Sequence, residues 1–93
     1  MKVRYTDRAR IDLETAFEWY QGQRIGLGFE FLDCLEATIS TIQQMPELYA
    51  KHHSHFRRAL IRRFPFAVFY TIENKELIIH AIFDNRQDPS RIP

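Results

Sequence analysis

The hydrophobic period of this chain changes once, at Pro46, and that change decides what it can fold into. Before it, Ala9, Leu13, Ala16, Phe17 and Tyr20 form a stripe at the 3.6-residue period of a helix. A second stripe, Leu32, Leu35, Ile39 and Ile42, is widened by Phe31 and Thr38, and Pro46 stops it. After Pro46 the pattern is strand-like, with runs over 57–63, 66–72 and 76–83. Two helices followed by a sheet is the pattern of an α+β domain, with the helices on one face.

Local signals sharpen the boundaries. Lys2, Val3, Arg4 and Tyr5 alternate, as a short edge strand does. Thr6 is a suitable N-cap, and Asp7 stands in the first turn, where the helix dipole favours negative charge. The first helix is predicted over roughly 7–22. Gly22, Gly26 and Gly28 are all the glycines of the chain, and they mark the turn of an antiparallel helical hairpin. Pro65 separates the first two strand runs, and Asn74-Lys75 is a turn between the second and third. Such short connections predict that these three strands are consecutive and antiparallel. The sheet face away from the helices is left without a covering element and is predicted to be partly open.

The 93 residues are enough for a single domain, 1–93, and for no second one. Eight Phe, four Tyr and one Trp supply large core groups, yet a domain this small buries only about 60–65% of its unfolded surface. Part of its apolar surface is therefore expected to meet a partner. Cys34 is the single cysteine, so no intrachain disulfide can form, and a buried free thiol in a reducing cytosol is the expectation. The first residues carry no signal-peptide pattern, and no run approaches the roughly 18 apolar residues of a membrane span. A cytoplasmic protein without a membrane partner is expected. The net charge of +1 argues against a generic polyanion binder, and no direct sequence-specific DNA binding by this chain alone is expected. Between 51 and 63, however, lie Lys51, Arg57, Arg58, Arg62, Arg63 and three histidines with no acid.

Three stretches together resemble a known family. They are Val3-Arg4-Tyr5-Thr6 leading into the first helix with its aromatics Phe17, Trp19 and Tyr20; Arg57-Arg58-Ala59-Leu60-Ile61-Arg62-Arg63-Phe64-Pro65-Phe66-Ala67-Val68-Phe69-Tyr70; and Ile82-Phe83-Asp84-Asn85-Arg86-Gln87-Asp88-Pro89. The chain resembles the RelE/ParE toxin superfamily, and within it the ParE-like plasmid stabilisation toxins. The resemblance implies a helical hairpin on a small antiparallel sheet. It also implies a toxin of a type II toxin–antitoxin system, a cognate antitoxin as partner, and no cofactor. The RelE branch cleaves messenger RNA on the ribosome, whereas the ParE branch is similar to poisons of DNA gyrase.

Metal-independent RNA cleavage needs a base, an acid and cations for the phosphorane. Arg58 and Arg86 match two positions of the RelE branch, and His80 is a further candidate base. Two other basic positions of that branch fall on Ala67 and Leu60, and the tail Ser90-Arg91-Ile92-Pro93 lacks its tyrosine. Binding to gyrase is therefore the leading expectation, with ribosome-dependent cleavage or a harmless antitoxin-binding relative as alternatives. Candidate residues for target or antitoxin binding are Arg57, Arg58, Arg62, Arg63, Arg86 and Trp19. Strand alternation predicts Arg57 and Arg63 on one face, and Arg58 and Arg62 on the other. Trp19 lies off the apolar stripe and is expected to be exposed as a contact anchor. Asp88 is expected to hold the turn after Arg86 through backbone amides. His52, His53 and His55 are read as a solvated loop, not a metal site.

Overall fold

The computed structural model describes residues 1–93, except the His53 side chain. Its elements are β1 (Lys2–Tyr5), α1 (Asp7–Gln23), α2 (Leu27–Gln44), β2 (Lys51–His53), β3 (Phe56–Leu60), β4 (Phe66–Glu73) and β5 (Glu76–Asp84), with a short 3₁₀ turn at Pro89–Arg91. The helical hairpin packs on one face of a single five-stranded sheet of order β1-β5-β4-β3-β2. This is the α+β fold expected from the change of period, and among the described residues no helix is long and apolar enough to cross a membrane.

The helices begin where side chains satisfy their free backbone amides. The Thr6 hydroxyl accepts the Ala9 amide at 3.2 Å, capping α1. For α2 the cap comes from the neighbouring helix, because the Gln21 side-chain oxygen accepts the Gly26 and Gly28 amides at 2.9 and 2.8 Å. Gly26 adopts φ +94°, a left-handed conformation that costs glycine little. Gly28 sits where the hairpin is tightest, since a Cβ there would lie 2.6 Å from Gln21 and 2.9 Å from the Phe17 ring.

The main core lies between the hairpin and the sheet. Phe31, Leu35 and Ile42 of α2 meet Ala59, Val68, Tyr70, Leu77 and Ile79 of the sheet, all at most 1% exposed. The Tyr70 hydroxyl donates to the Pro46 carbonyl at 2.9 Å, so the segment after α2 is tied to the sheet centre. Burial, with Tyr49 adding to it and Arg57 opposing, pushes the Tyr70 phenol up to about 12.

Asn74 and Lys75 have φ +51° and +62°, the two positive values of a hairpin turn matched to strand twist. Four features differ from the sequence expectation. First, β1 pairs in parallel with β5, Val3 facing Leu77, so the sheet is mixed. Second, Lys51, His52 and His53 form an edge strand against β3 instead of a loop; the His53 side chain lies outside the described residues. Third, β3 ends at Leu60 instead of reaching Arg63, because Arg63 turns to φ +70° ahead of Pro65. Fourth, the far face is closed at its centre. Ala67, Phe69, Ala81 and Phe83 form a second buried cluster there, with Phe56 and Ile92 packed over it.

That second cluster depends on a β-bulge in β5. Phe69 faces Ala81 while Tyr70 faces Ile79, which leaves His80 as the extra residue. His80 packs on Phe56 and Ala81 joins the far-face cluster, so two successive residues of β5 serve one face. Beyond β1, the free edge of β5 is taken over by α1. The Thr6 hydroxyl donates to the His80 carbonyl at 3.2 Å, and Asp12 accepts the Ile82 amide at 3.0 Å.

Candidate functional site

At the end of the sheet where β3 stops, β4 starts and β5 ends, aromatic side chains gather around Tyr20. Its ring lies 4.9 Å from Phe64, 5.1 Å from Trp19 and 5.4 Å from Phe31, centroid to centroid. The stripe that brings Ala16 and Tyr20 into the core turns Trp19 outward, and its side chain remains 52% exposed. Between α1 and the C-terminal segment opens a groove of about 860 Å³. Ala16, Tyr20, Phe66 and Ile82 form its floor, while Trp19, Arg86 and Arg91 stand along its walls.

Arg86 is held in this groove by Asp84. Its Nε and Nη2 each donate to Asp84 at 2.9 Å, and its own amide donates to the same carboxylate at 2.9 Å. These bonds hold the Asp84 carboxyl below the usual carboxylate range and raise the guanidinium further. The guanidinium carbon then lies 5.8 Å from the Trp19 ring centroid, a cation–π contact. Burial raises the Tyr20 phenol, opposed by nearby Arg86. Asp88 accepts the Ser90 amide at 2.9 Å, and Arg8 reaches the Arg91 carbonyl, so the segment after Arg86 is held against α1.

Arg63 flanks the same aromatic cluster on the other side, 5.6 Å from the Phe64 ring centroid. It donates to Glu30 at 2.9 Å, and Arg24 donates to the other oxygen at 3.0 Å. Together they hold the Glu30 carboxyl below its ordinary value. Arg62 is exposed in the same turn. Trp19, Arg62, Arg63 and Arg86 therefore share one end of the molecule. Arg57 does not join them; it faces the helix side and donates to the Tyr49 carbonyl at 2.7 Å. Arg58 stands on the opposite face of β3, as alternation predicts for that pair, but Arg62 and Arg63 lie past the strand and follow no alternation.

The ribonuclease candidates do not share one site: Arg86 lies in the groove, whereas Arg58 and His80 are on the far face, on strands two spacings apart, about 10 Å. His80 belongs to the far face, where Nε2 is 2.7 Å from the Thr71 hydroxyl, which also donates to Glu73 at 2.8 Å. Burial lowers the His80 pKa; Glu73 opposes this, while His55 and Arg4 add to it. His80 is thus neutral at pH 7 and bonded into the sheet. Asp84, which anchors Arg86, lies four residues further along β5, about 13 Å at a strand's rise. Among the described residues, no three His, Cys, Asp or Glu side chains gather in the manner of a metal site.

The roles of Gln21 and Asp12 escaped the sequence reading. Both act across 5 to 70 residues of chain, and neither sits in a recognisable motif. The capping and turn signals that were readable are those whose partners lie within three residues.

Over residues 3–89 the chain matches the family model described as the ParE toxin of the type II toxin–antitoxin system parDE. No curated protein matches it. A solved structure similar in fold is the chromosomal ParDE toxin–antitoxin system from P. aeruginosa, with a TM-score of 0.78 and 19% sequence identity. The alignment covers 90% of this chain and 95% of that one.

Proposed function

Since the chain belongs to the ParE toxin family of type II toxin–antitoxin systems, we propose that it acts by binding, docking on DNA gyrase through the groove around Trp19 and Arg86. A cognate antitoxin holds it inactive by covering that end of the molecule. The reading rests on one observation above the others. Of the residues that RNA cleavage would need together, Arg86 stands in the groove while Arg58 and His80 lie on the far face of the sheet, and Arg86 and His80 are committed to Asp84 and Thr71. A base, an acid and a phosphate clamp must converge within hydrogen-bond reach of one bond. A half-exposed tryptophan stacked under a fixed guanidinium is, by contrast, the kind of anchor that dominates protein interfaces. Arg62 and Arg63 extend the positive end towards acidic partner residues, whereas Arg57 and Arg58 contribute little to this contact.

Induced expression without antitoxin tests the reading in cells. DNA breaks and filamentation with intact messenger RNA support a gyrase poison. A halt in translation with cleaved messenger RNA, and no DNA damage, contradicts it. Unimpaired growth on confirmed expression also contradicts it, in favour of an antitoxin-binding relative without a target.

A further inference from the structure

The end of the sheet opposite the groove carries a second hollow, of about 680 Å³, which the docking proposed above does not use. It opens where β3 begins and β4 ends, beside the segment that follows α2. Met45, Leu48 and Ile72 line it and remain exposed, three large apolar side chains in one place. A single exposed leucine is ordinary on a surface, whereas several around one hollow mark a contact. The hollow is also held in shape. The Tyr70 hydroxyl donates to the Pro46 carbonyl at 2.9 Å, Arg57 donates to the Tyr49 carbonyl at 2.7 Å, and the Leu48 amide donates to the Met45 carbonyl at 3.0 Å. Little ordering is then lost when a partner docks there.

Charge decides the occupant. Glu47 and Glu73 stand around the hollow with Lys51 and Arg57, so its acids and cations balance, beside His55. Among the described residues, neither Glu47 nor Lys51 has an ion pair. Other exposed surfaces are lopsided. The groove end presents Arg62, Arg63, Arg86 and Arg91, and the exposed side of the helical hairpin carries Glu14, Glu18, Asp33 and Glu36. A surface of one sign repels its own copy. A two-fold contact sets a patch against the same patch and therefore needs both signs on it.

We propose that this hollow docks a second copy of the chain, face to face about a two-fold axis. The Met45, Leu48 and Ile72 side chains of the two copies cover one another, and Lys51 of each copy meets Glu47 of the other. The two grooves then stay open at the outer ends of the dimer. Self-association neither needs nor blocks the docking around Trp19 and Arg86, and it can fail or stand without gyrase or an antitoxin.

Sedimentation equilibrium of the purified full chain, from micromolar to millimolar concentration, tests the inference. The average mass should rise with concentration from 11.2 kDa towards twice that value. Leu48→Asp and Ile72→Asp should each weaken association at least about tenfold. Ile25→Asp, at an exposed apolar residue of the hairpin turn, should leave it within about twofold. Lys51→Glu and Glu47→Lys should each weaken association as well, and an equal mixture of the two should recover it, because every facing pair is then of opposite sign. Circular dichroism and thermal melting establish that each variant is folded. A folded wild-type chain that stays monomeric overturns the inference, and a loss of antitoxin binding by Leu48→Asp would then assign the hollow to that partner. Equal weakening by Ile25→Asp and Leu48→Asp also overturns it, as does a mixture of the charge variants that associates no better than its components.

Discussion

Asp12 of α1 accepts the backbone amide of Ile82 in β5 at 3.0 Å, across 70 residues of chain. The bond joins the helical hairpin to the strand just past its bulge, where β1 no longer reaches. Asp12 is half-buried, and burial raises its carboxyl pKa against the opposing Ile82 amide and Arg8. A raised carboxyl pKa means that Asp12's contribution is full at low pH and falls as pH rises through the folded value. The amide bond, not the charge, is therefore what stabilises the fold here. Asp12→Asn should keep stability at pH 7 within about 0.5 kcal/mol, whereas Asp12→Ala leaves the Ile82 amide unpaired and costs about 1–3 kcal/mol. Urea unfolding of both variants checks this, and equal losses would show that the charge matters instead.

Gly28 and Gly22 should respond in opposite ways to alanine. A Cβ at Gly28 meets Gln21 at 2.6 Å and the Phe17 ring at 2.9 Å, and displacing Gln21 uncaps α2. A cost of about 1–3 kcal/mol is expected. Gly22 is helical with open space around its Cα, so Gly22→Ala should stabilise by about 0.5–1 kcal/mol. Thermal melting of the pair separates the two effects.

Tyr70 should ionise late and take the fold with it. Its phenol is held up to about 12, above the ordinary value near 10. A raised phenol stabilises the fold below pH 10 and loses that contribution as pH rises from 10 through 12. Tyr70→Phe removes the bond to the Pro46 carbonyl and should cost about 1 kcal/mol at pH 7. It should also reduce the fall in stability between pH 10 and 12, measured by denaturation at each pH; an unchanged fall would assign it to Tyr5 and Tyr20, whose phenols are raised as well.

Much of this fold was legible because its causes are local. Thr6 caps a helix three residues away, Asn74 and Lys75 supply their own turn, and the stripe ending at Tyr20 already turns Trp19 outward. Trp19 and Arg86 were both read as contact residues, and the fold brings them into one groove. What was not legible depends on partners distant in sequence. The four residues of β1 carry no sign of the parallel pairing they make with β5. The bulge at His80 lies within an even run of apolar residues, and the edge strand through His52 has the composition of a loop. The arginine run looked like one cluster because its members are adjacent in sequence; alternation at 57–58 and the turn at 62–65 send them to separate surfaces.

Arg86 should matter for binding and little for stability. It is exposed and its ion pair with Asp84 lies near the surface, so Arg86→Ala should change stability by no more than about 1 kcal/mol. Asp84→Ala should be intermediate in its effect on partner binding, because it frees the guanidinium from its fixed place over Trp19 while leaving the charge. Calorimetric titration with the antitoxin or gyrase checks the order.

A supercoiling assay with purified gyrase, comparing the wild-type chain with Trp19→Ala and Arg86→Ala, tests most directly whether the groove is where this protein acts. Loss of supercoiling with wild-type protein is expected, each variant needing at least about tenfold more protein for the same effect, about 1.4 kcal/mol of contact energy. Gyrase inhibited equally by all three proteins would contradict the groove as the docking site, and gyrase untouched by the wild-type chain would contradict gyrase as the target.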